Sequence, residues 1–200
     1  MRFYRILAVV LFCGILSNNC NAQNFGGGLI AGVSTSQVAG DMLGGFNKIG
    51  LLAGAYTNLK IKENLKLQLE IIYIEKGSRN PNIHKNTIQE ISLSYVEVPL
   101  SINLQQKENI VIEVGVLPAF IIASKMNDYY SETEISPPFE KYDFGVFAGI
   151  NYRILDKIIL NTRISNSIIP IRPHEDGLTN RLNKGQYNTV LSFAIHYKIR

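Results

Sequence analysis

The sequence predicts an all-β protein, an eight-stranded antiparallel up-and-down transmembrane β-barrel, on three observations. The first is alternation: Tyr187, Thr189, Leu191, Phe193, Ile195, Tyr197 and Ile199 share one strand face, and Asn188, Val190, Ser192, Ala194, His196 and Lys198 the other. An apolar face with tyrosines near its ends, opposite a mostly polar face, suits a strand with lipid outside and a polar lumen inside. The second is strand length, since most candidates come near the roughly 9 to 11 residues a tilted strand needs to cross hydrocarbon. The third is that short and long connections alternate strictly along the chain, as short turns on one side of a membrane and long loops on the other require.

Taken in order, Met1 to Ala22 stands apart from the fold. Arg2 and Arg5 give a positive start, Ile6 to Leu16 an apolar run, and Cys20-Asn21-Ala22 a small-residue exit before Gln23. The run is too short for a spanning helix, which needs about 20 apolar residues. A lipoprotein signal acylated at Cys20 is disfavoured by Asn18 and Asn19. A cleaved export signal over residues 1–22 is expected, leaving a barrel domain over 23–200. Its removal takes both cysteines, Cys13 and Cys20, so the mature chain has neither disulfide nor thiol. It also removes two of twenty basic residues and none of sixteen acidic ones, lowering the formal charge from +4 to +2. That balance gives a nucleic-acid partner no support, and the length suits one domain.

The expected strands are Gly27 to Ser34, Lys48 to Leu59, Leu65 to Glu75, Ile91 to Leu104, Ile110 to Ala123, Tyr142 to Ile154, Lys157 to Ile168 and Tyr187 to Ile199. The segments 60–64, 105–109 and 155–156 are short; 35–47, 76–90, 124–141 and 169–186 are long. Tyr73, Tyr95, Tyr142, Phe144 and Tyr187 fall at strand ends that meet long loops, and Tyr152 and Tyr197 at ends that meet short turns. These make two expected aromatic girdles. Pro99 and Pro118 donate no ladder hydrogen bond. Apolar parity runs Ile91, Leu93, Tyr95 before Pro99 and Val98, Leu100, Ile102 around and after it, so a bulge at Val96 to Pro99 is expected.

Several segments carry a family resemblance: Gly28-Leu-Ile-Ala-Gly32, Leu67-Gln-Leu-Glu-Ile-Ile-Tyr73 closing on Lys76-Gly77, Tyr95-Val-Glu-Val-Pro-Leu100, Asp143-Phe-Gly145 and Arg163-Ile-Ser165. In this order they resemble the PorT-like outer-membrane β-barrel family of Gram-negative bacteria that carry the type IX secretion system. The resemblance implies an outer-membrane barrel, with a secretion-associated role that belongs to the family's namesake. Members end on an aromatic residue, whereas this sequence ends Tyr197-Lys-Ile-Arg200.

Assigning polar faces to the lumen puts Glu70, Glu97, Glu113, Asp143, Arg163 and His196 inside. Charges in a narrow lumen need partners, and Arg163 is expected to bridge Glu70 and Glu97 and plug the barrel. The rival reading of Glu70 and Glu97 is an acid and base pair, which would need a substrate-sized cavity beside them. His84 and His174-Glu175-Asp176 lack ligand spacing, so no metal site is expected. No catalytic or cofactor residues are assigned. Asp128, Tyr129, Tyr130, Glu132, Glu134, Pro137 and Pro138 make an acidic, aromatic loop suited to protein contact or solvent. The expected function is structural, binding or secretion-associated, in the outer membrane, as a monomer. The partners expected are outer-membrane lipid and envelope or secretion proteins met through loops or turns. Two alternatives stand beside it: a lipid-modifying outer-membrane enzyme, and a soluble periplasmic lipocalin-like carrier whose strands would turn their apolar faces inward.

Overall fold

The computed structural model describes residues 25–41, 43, 45–80, 90–127, 137–173 and 185–199. The expected export signal, His84, His174-Glu175-Asp176 and most of the acidic loop lie outside the described residues. The strands are β1 (Phe25–Ala39), β2 (Lys48–Lys62), β3 (Leu65–Arg79), β4 (Glu90–Glu97), β5 (Leu100–Lys107), β6 (Ile110–Asn127), β7 (Tyr142–Leu155), β8 (Ile158–Ser167) and β9 (Tyr187–Lys198). Every pairing is antiparallel, and β1 pairs with both β2 and β9. The sheet therefore closes on itself, and closure leaves no edge strand to be satisfied by water. Because β4 and β5 both lie between β3 and β6, they are two halves of one crossing. Nine strands thus make the eight crossings of a closed antiparallel barrel.

Alternation decides what each face meets. On β9, Phe193, Ile195 and Tyr197 are exposed while Val190, Ser192, Ala194 and His196 are buried. The same division runs round the barrel, with Leu29, Leu51, Ile71, Ile102, Val114, Val146 and Ile164 outside. An apolar surface so continuous on a closed barrel is what hydrocarbon solvates. The strands overrun the expected boundaries mainly at the long-loop end, where β1 reaches Ala39, β3 Arg79 and β6 Asn127.

Two expectations about the fourth crossing are corrected. Its inward residues keep one parity throughout: Ile91, Leu93, Tyr95, Glu97, Pro99, Ser101 and Asn103 are all buried. No bulge occurs at Val96 to Pro99, because Glu97 faces Ala119 and Leu100 faces Val116, with two residues between on each strand. The change is in which side chains face inward, Ile91, Leu93 and Tyr95 toward the long-loop end and Glu97, Ser101 and Asn103 further down, rather than in the register. Pro99 and Pro118 are accommodated as single missing donors: the Glu70 amide donates to the Pro99 carbonyl at 3.0 Å and the Val98 amide to the Pro118 carbonyl at 2.9 Å. Neither proline can return the second bond of its pair. The bulge in this region is on β6, where Ser94 faces Ala123 but Tyr95 faces Ile121, leaving Ile122 extra. It changes the buried parity of β6 from Leu117 and Ala119 to Met126.

At the long-loop end, short segments outside the strands hydrogen-bond to one another. The Glu140 amide donates to the Ile171 carbonyl at 2.7 Å, the Ile171 amide to Gln186 at 2.8 Å and the Gln186 amide to Arg172 at 2.9 Å. Leu43, Phe139 and Ile171 are buried there with Met126.

Candidate functional site: the charged lumen

The middle of the barrel is built around one guanidinium. Arg163 on β8 donates through Nη1 and Nη2 to Glu70 on β3 at 3.0 and 2.9 Å. Its Nε donates to Glu113 on β6 at 2.8 Å, and Nη2 reaches the second Glu113 oxygen at 3.3 Å. A planar donor fork is suited to two carboxylates at once. Asn151 and Asn161 also donate to Glu113, at 3.1 and 2.8 Å, and Gln68 donates to Glu70 at 2.6 Å. All of these side chains are buried, and because one guanidinium serves two carboxylates, the neutral amides of Gln68, Asn151 and Asn161 stabilise the one negative charge left over.

Small residues in the sequence make the space. Register sets Glu113, Gly149 and Arg163 on one rung across β6, β7 and β8. A Cβ on Gly149 would lie 2.5 Å from a Glu113 carboxylate oxygen. Gly115 faces Phe147, and a Cβ there would lie 2.7 Å from the Phe147 ring. That ring in turn lies under the Arg163 guanidinium, at 4.1 Å.

Glu97 is not part of this bridge, which corrects the expected pairing. It forms an ion pair with Lys76, whose ammonium also lies 4.7 Å from the Tyr95 ring centre. Lys76 is 1% exposed and was missing from the expected lumen set, because the strand β3 was expected to end at Glu75. Asp143 accepts from Ser167 at 2.8 Å and from Asn188 at 3.1 Å, and Asn188 also donates to the Tyr95 hydroxyl at 3.1 Å. His196 is buried against Tyr56, ring centres 5.3 Å apart. The six expected lumen residues are therefore all buried, with Glu70, Glu113 and Arg163 in the bridge, Glu97 and Asp143 linked through Lys76, Tyr95 and Asn188, and His196 packed on Tyr56.

Four of the six girdle tyrosines, Tyr73, Tyr142, Tyr152 and Tyr197, are on the outer face. Tyr95 is not: it is fully buried in the lumen, in the same buried cluster as Ile91, Leu93, Leu117 and Val190, with Lys76 over its ring and Asn188 on its hydroxyl. Tyr187 keeps the outward parity of Phe193 yet is 3% exposed. It follows Gly185 and Gln186 into the region hydrogen-bonded to 170–172, where four consecutive residues, 185–188, are buried.

Above the lumen, Arg172 donates to Gln186 at 2.7 Å and its guanidinium lies 4.7 Å from the Phe139 ring. Asp41, just beyond β1, accepts from the Leu43 amide at 2.8 Å. Burial pushes its carboxyl up to about 6 against the pull of that bond, of Ser78 and of the Arg172 charge. Below the lumen, a cavity of about 510 Å³ opens at the short-turn end. Among the described residues no group of three His, Cys, Asp or Glu could hold a metal ion.

Comparison with known proteins bears on most of the chain. Residues 20–172 match the model of the outer membrane protein beta-barrel domain. Among solved structures, Neisserial surface protein A is similar at a TM-score of 0.56 and 13% identity, over 88% of this chain and 97% of that one. The attachment invasion locus protein Ail of Yersinia pestis is similar at 0.53 and 10% identity, over 87% of this chain and 98% of that one. A second structure of Ail, in complex with the heparin analogue sucrose octasulfate, gives 0.51 and 9% identity, over 88% and 99% of the two chains. At these identities the likeness is one of fold. No curated protein matches the chain.

Proposed function

The chain belongs to the outer membrane protein beta-barrel domain family, and from that premise we propose a non-catalytic barrel, plugged by its own side chains, that works through its two rims. The observation that carries this reading is the guanidinium of Arg163 held between Glu70 and Glu113. Eight strands leave a lumen only wide enough for side chains, and a bridge from β8 to both β3 and β6 spans it. The apolar layer of Ile91, Leu93, Leu117 and Val190 lies next to it on the long-loop side. With short turns toward the periplasm, as is usual for such barrels, the long loops face outward. Lipid surrounds the belt, the barrel acts as a monomer, and envelope or secretion proteins are met through loops or turns. Export by a signal cleaved after Ala22 belongs to the same reading.

The PorT-like assignment, with a secretion-associated role, is supported by the segments quoted above. Tyr95-Val-Glu-Val-Pro-Leu100 is the most specific, and it forms the interrupted crossing with Glu97 inside. The acid and base reading of Glu70 and Glu97 loses support because each carboxylate holds a different cation. The carrier reading needs inward apolar faces, whereas Leu51, Ile71, Ile102 and Phe193 face outward.

Planar-bilayer recording tests the plug. The refolded barrel should be electrically silent, and opening the bridge and the apolar layer together, by Glu70→Ala, Glu113→Ala and Arg163→Ala with Leu93→Ala and Leu117→Ala, should produce steady conductance. A steady channel in the unaltered protein would overturn the reading.

A further inference from the structure

The cavity at the short-turn end has a composition that the plugged scaffold does not need. Lys60, Lys66, Arg153 and Lys198 line it, from β2, β3, β7 and β9, and Asp156 is the one carboxylate among the lining residues. All four cations have the inward parity of their strands: Lys60 follows Tyr56, Lys66 precedes Gln68 and Glu70, Arg153 follows Asn151 and Lys198 follows His196. Lys60 and Lys66 are direct cross-strand partners, an arrangement of like charges that is unfavourable by itself. Arg153 and Lys198 line the same cavity, so four like charges share it. Among the described residues the ion pairs are Lys48 with Glu90, Lys76 with Glu97, and Arg163 with Glu70 and Glu113, so none of the four cavity cations has a carboxylate in ion-pair range. Glu63 and Glu108, on the adjoining turns, do not line the cavity.

Deeper in the lumen the cations Arg163 and Lys76 both have buried carboxylate partners, and the four cavity cations do not. The cavity floor is polar and buried, formed by Gln68, Asn103, Asn151 and His196. At about 510 Å³ the space is of the size that holds a small ligand.

We propose that this vestibule is a binding site for a phosphate-bearing polyanion, held by Lys60, Lys66, Arg153 and Lys198 above an amide-lined floor. Cations spread over β2, β3, β7 and β9 suit two or more anionic groups better than one. Binding would relieve the repulsion among the four, and enclosure by the barrel wall favours a small molecule or headgroup over a folded partner. The phosphate could arrive free or on a lipid at the adjoining membrane surface, and the experiment separates these sources.

The refolded 23–200 barrel in zwitterionic detergent is titrated with pyrophosphate by calorimetry. In a second arm, the unfolding midpoint is compared in phosphatidylcholine vesicles with and without phosphatidylglycerol. Lys66→Gln and Arg153→Gln remove cations from inside the cavity, and Lys198→Gln, at the exposed end of β9, is a milder third variant. Lys107→Gln removes a cation from the same end that does not line the cavity. Each variant is first checked for the heat-modifiable mobility of a folded barrel. Pyrophosphate binding that weakens about tenfold with each cavity substitution, weakens with added salt and survives Lys107→Gln establishes the site and a free ligand. Stabilisation by phosphatidylglycerol that is lost in the cavity variants alone, without pyrophosphate binding, establishes the site with a lipid source. No effect in either arm, equal loss in Lys107→Gln, or binding of a polyglutamate peptide in place of pyrophosphate overturns the proposal.

Discussion

Arg163 and Glu70 face each other across the barrel in a two-pronged contact, Nη1 to one carboxylate oxygen at 3.0 Å and Nη2 to the other at 2.9 Å. Because the same guanidinium also holds Glu113, removing it strands two buried carboxylates. Arg163→Ala should destabilise the barrel by about 3 to 5 kcal/mol in urea unfolding of the lipid-refolded protein, less where water enters the lumen. Arg163→Met with Glu70→Gln and Glu113→Gln leaves no unpaired charge and should recover much of the loss. A neutral Arg163→Ala alongside a badly destabilised triple variant would show that the bridge contributes nothing.

How far this site was legible depends on which register each partner needed. Parity alone puts Glu70, Glu113 and Arg163 inside, since each alternates with apolar residues that face outward. The short turn at 156–157 pairs Leu155 with Ile158, a register that would set Gly149 opposite Ile164, and only the irregularity between Arg153 and Leu155 brings Gly149 beside Arg163. Glu113 joins that rung only through the pairing of β6 with β7, whose connection is long, so no turn geometry fixes its depth in the sequence. Parity alone therefore cannot distinguish Glu97 from Glu113 as the second partner of Arg163, which the structure gives as Glu113.

Tyr95 shows a different limit. An apolar residue is read as lipid-facing on the assumption that the lumen is polar throughout. Here the long-loop half of the interior mixes buried apolar side chains with Lys76, Asp143 and Asn188, so Ile91, Leu93 and Tyr95 point inward and the apparent slip at Pro99 vanishes. Lys76 escaped for a related reason: a lysine followed by glycine looks like the start of a loop, yet β3 continues to Arg79. The barrel itself was readable because alternation, strand length and loop order are independent signals that agree.

Gly77 explains why glycine can stand inside that longer strand. Its φ is 145°, a backbone that L side chains rarely adopt, and an added Cβ would lie 1.9 Å from the Ile91 carbonyl oxygen. Its amide donates to the Ser36 hydroxyl at 2.9 Å, and that hydroxyl lies 3.0 Å from its carbonyl. Gly77→Ala should lower stability by about 1 to 3 kcal/mol, and hydrogen exchange should show the loss at β3, β4 and Ser36 first. An unchanged unfolding curve would refute the strain.

Asp41 predicts a pH dependence at the long-loop end. Burial raises its carboxyl from 3.8 to about 6 in the folded protein, so between those values the folded state binds the proton and the unfolded chain does not. Its contribution to stability is therefore full below the unfolded value and is lost as pH rises through about 6. Asp41→Asn keeps a side-chain oxygen for the Leu43 amide and cannot ionise. It should match the unaltered protein near pH 4 and be the more stable of the two at pH 7. Parallel stability profiles for the two proteins would rule out this assignment.

The outward face can be tested by depth. Phe193 is 47% exposed, and its neighbour Ser192 pairs with Arg163, which places it level with the charged bridge near the middle of the strand. Four residues further, Tyr197 is exposed opposite Leu29 and Ile158 at the short-turn end, about 13 Å along the strand. If both face lipid, a guanidinium meets hydrocarbon at the first position and headgroups at the second. Phe193→Arg should then lower the unfolding free energy in bilayers by about 2 to 4 kcal/mol, and Tyr197→Arg by about 0 to 1 kcal/mol from the charge itself. Loss of the aromatic side chain adds to both, so Phe193→Ala and Tyr197→Ala are the reference proteins from which the charge effect is read. A soluble or inward-facing strand would remove the depth dependence, and equal effects of arginine at the two positions would mean that the belt of Leu29, Ile71, Val146 and Phe193 does not lie in a bilayer.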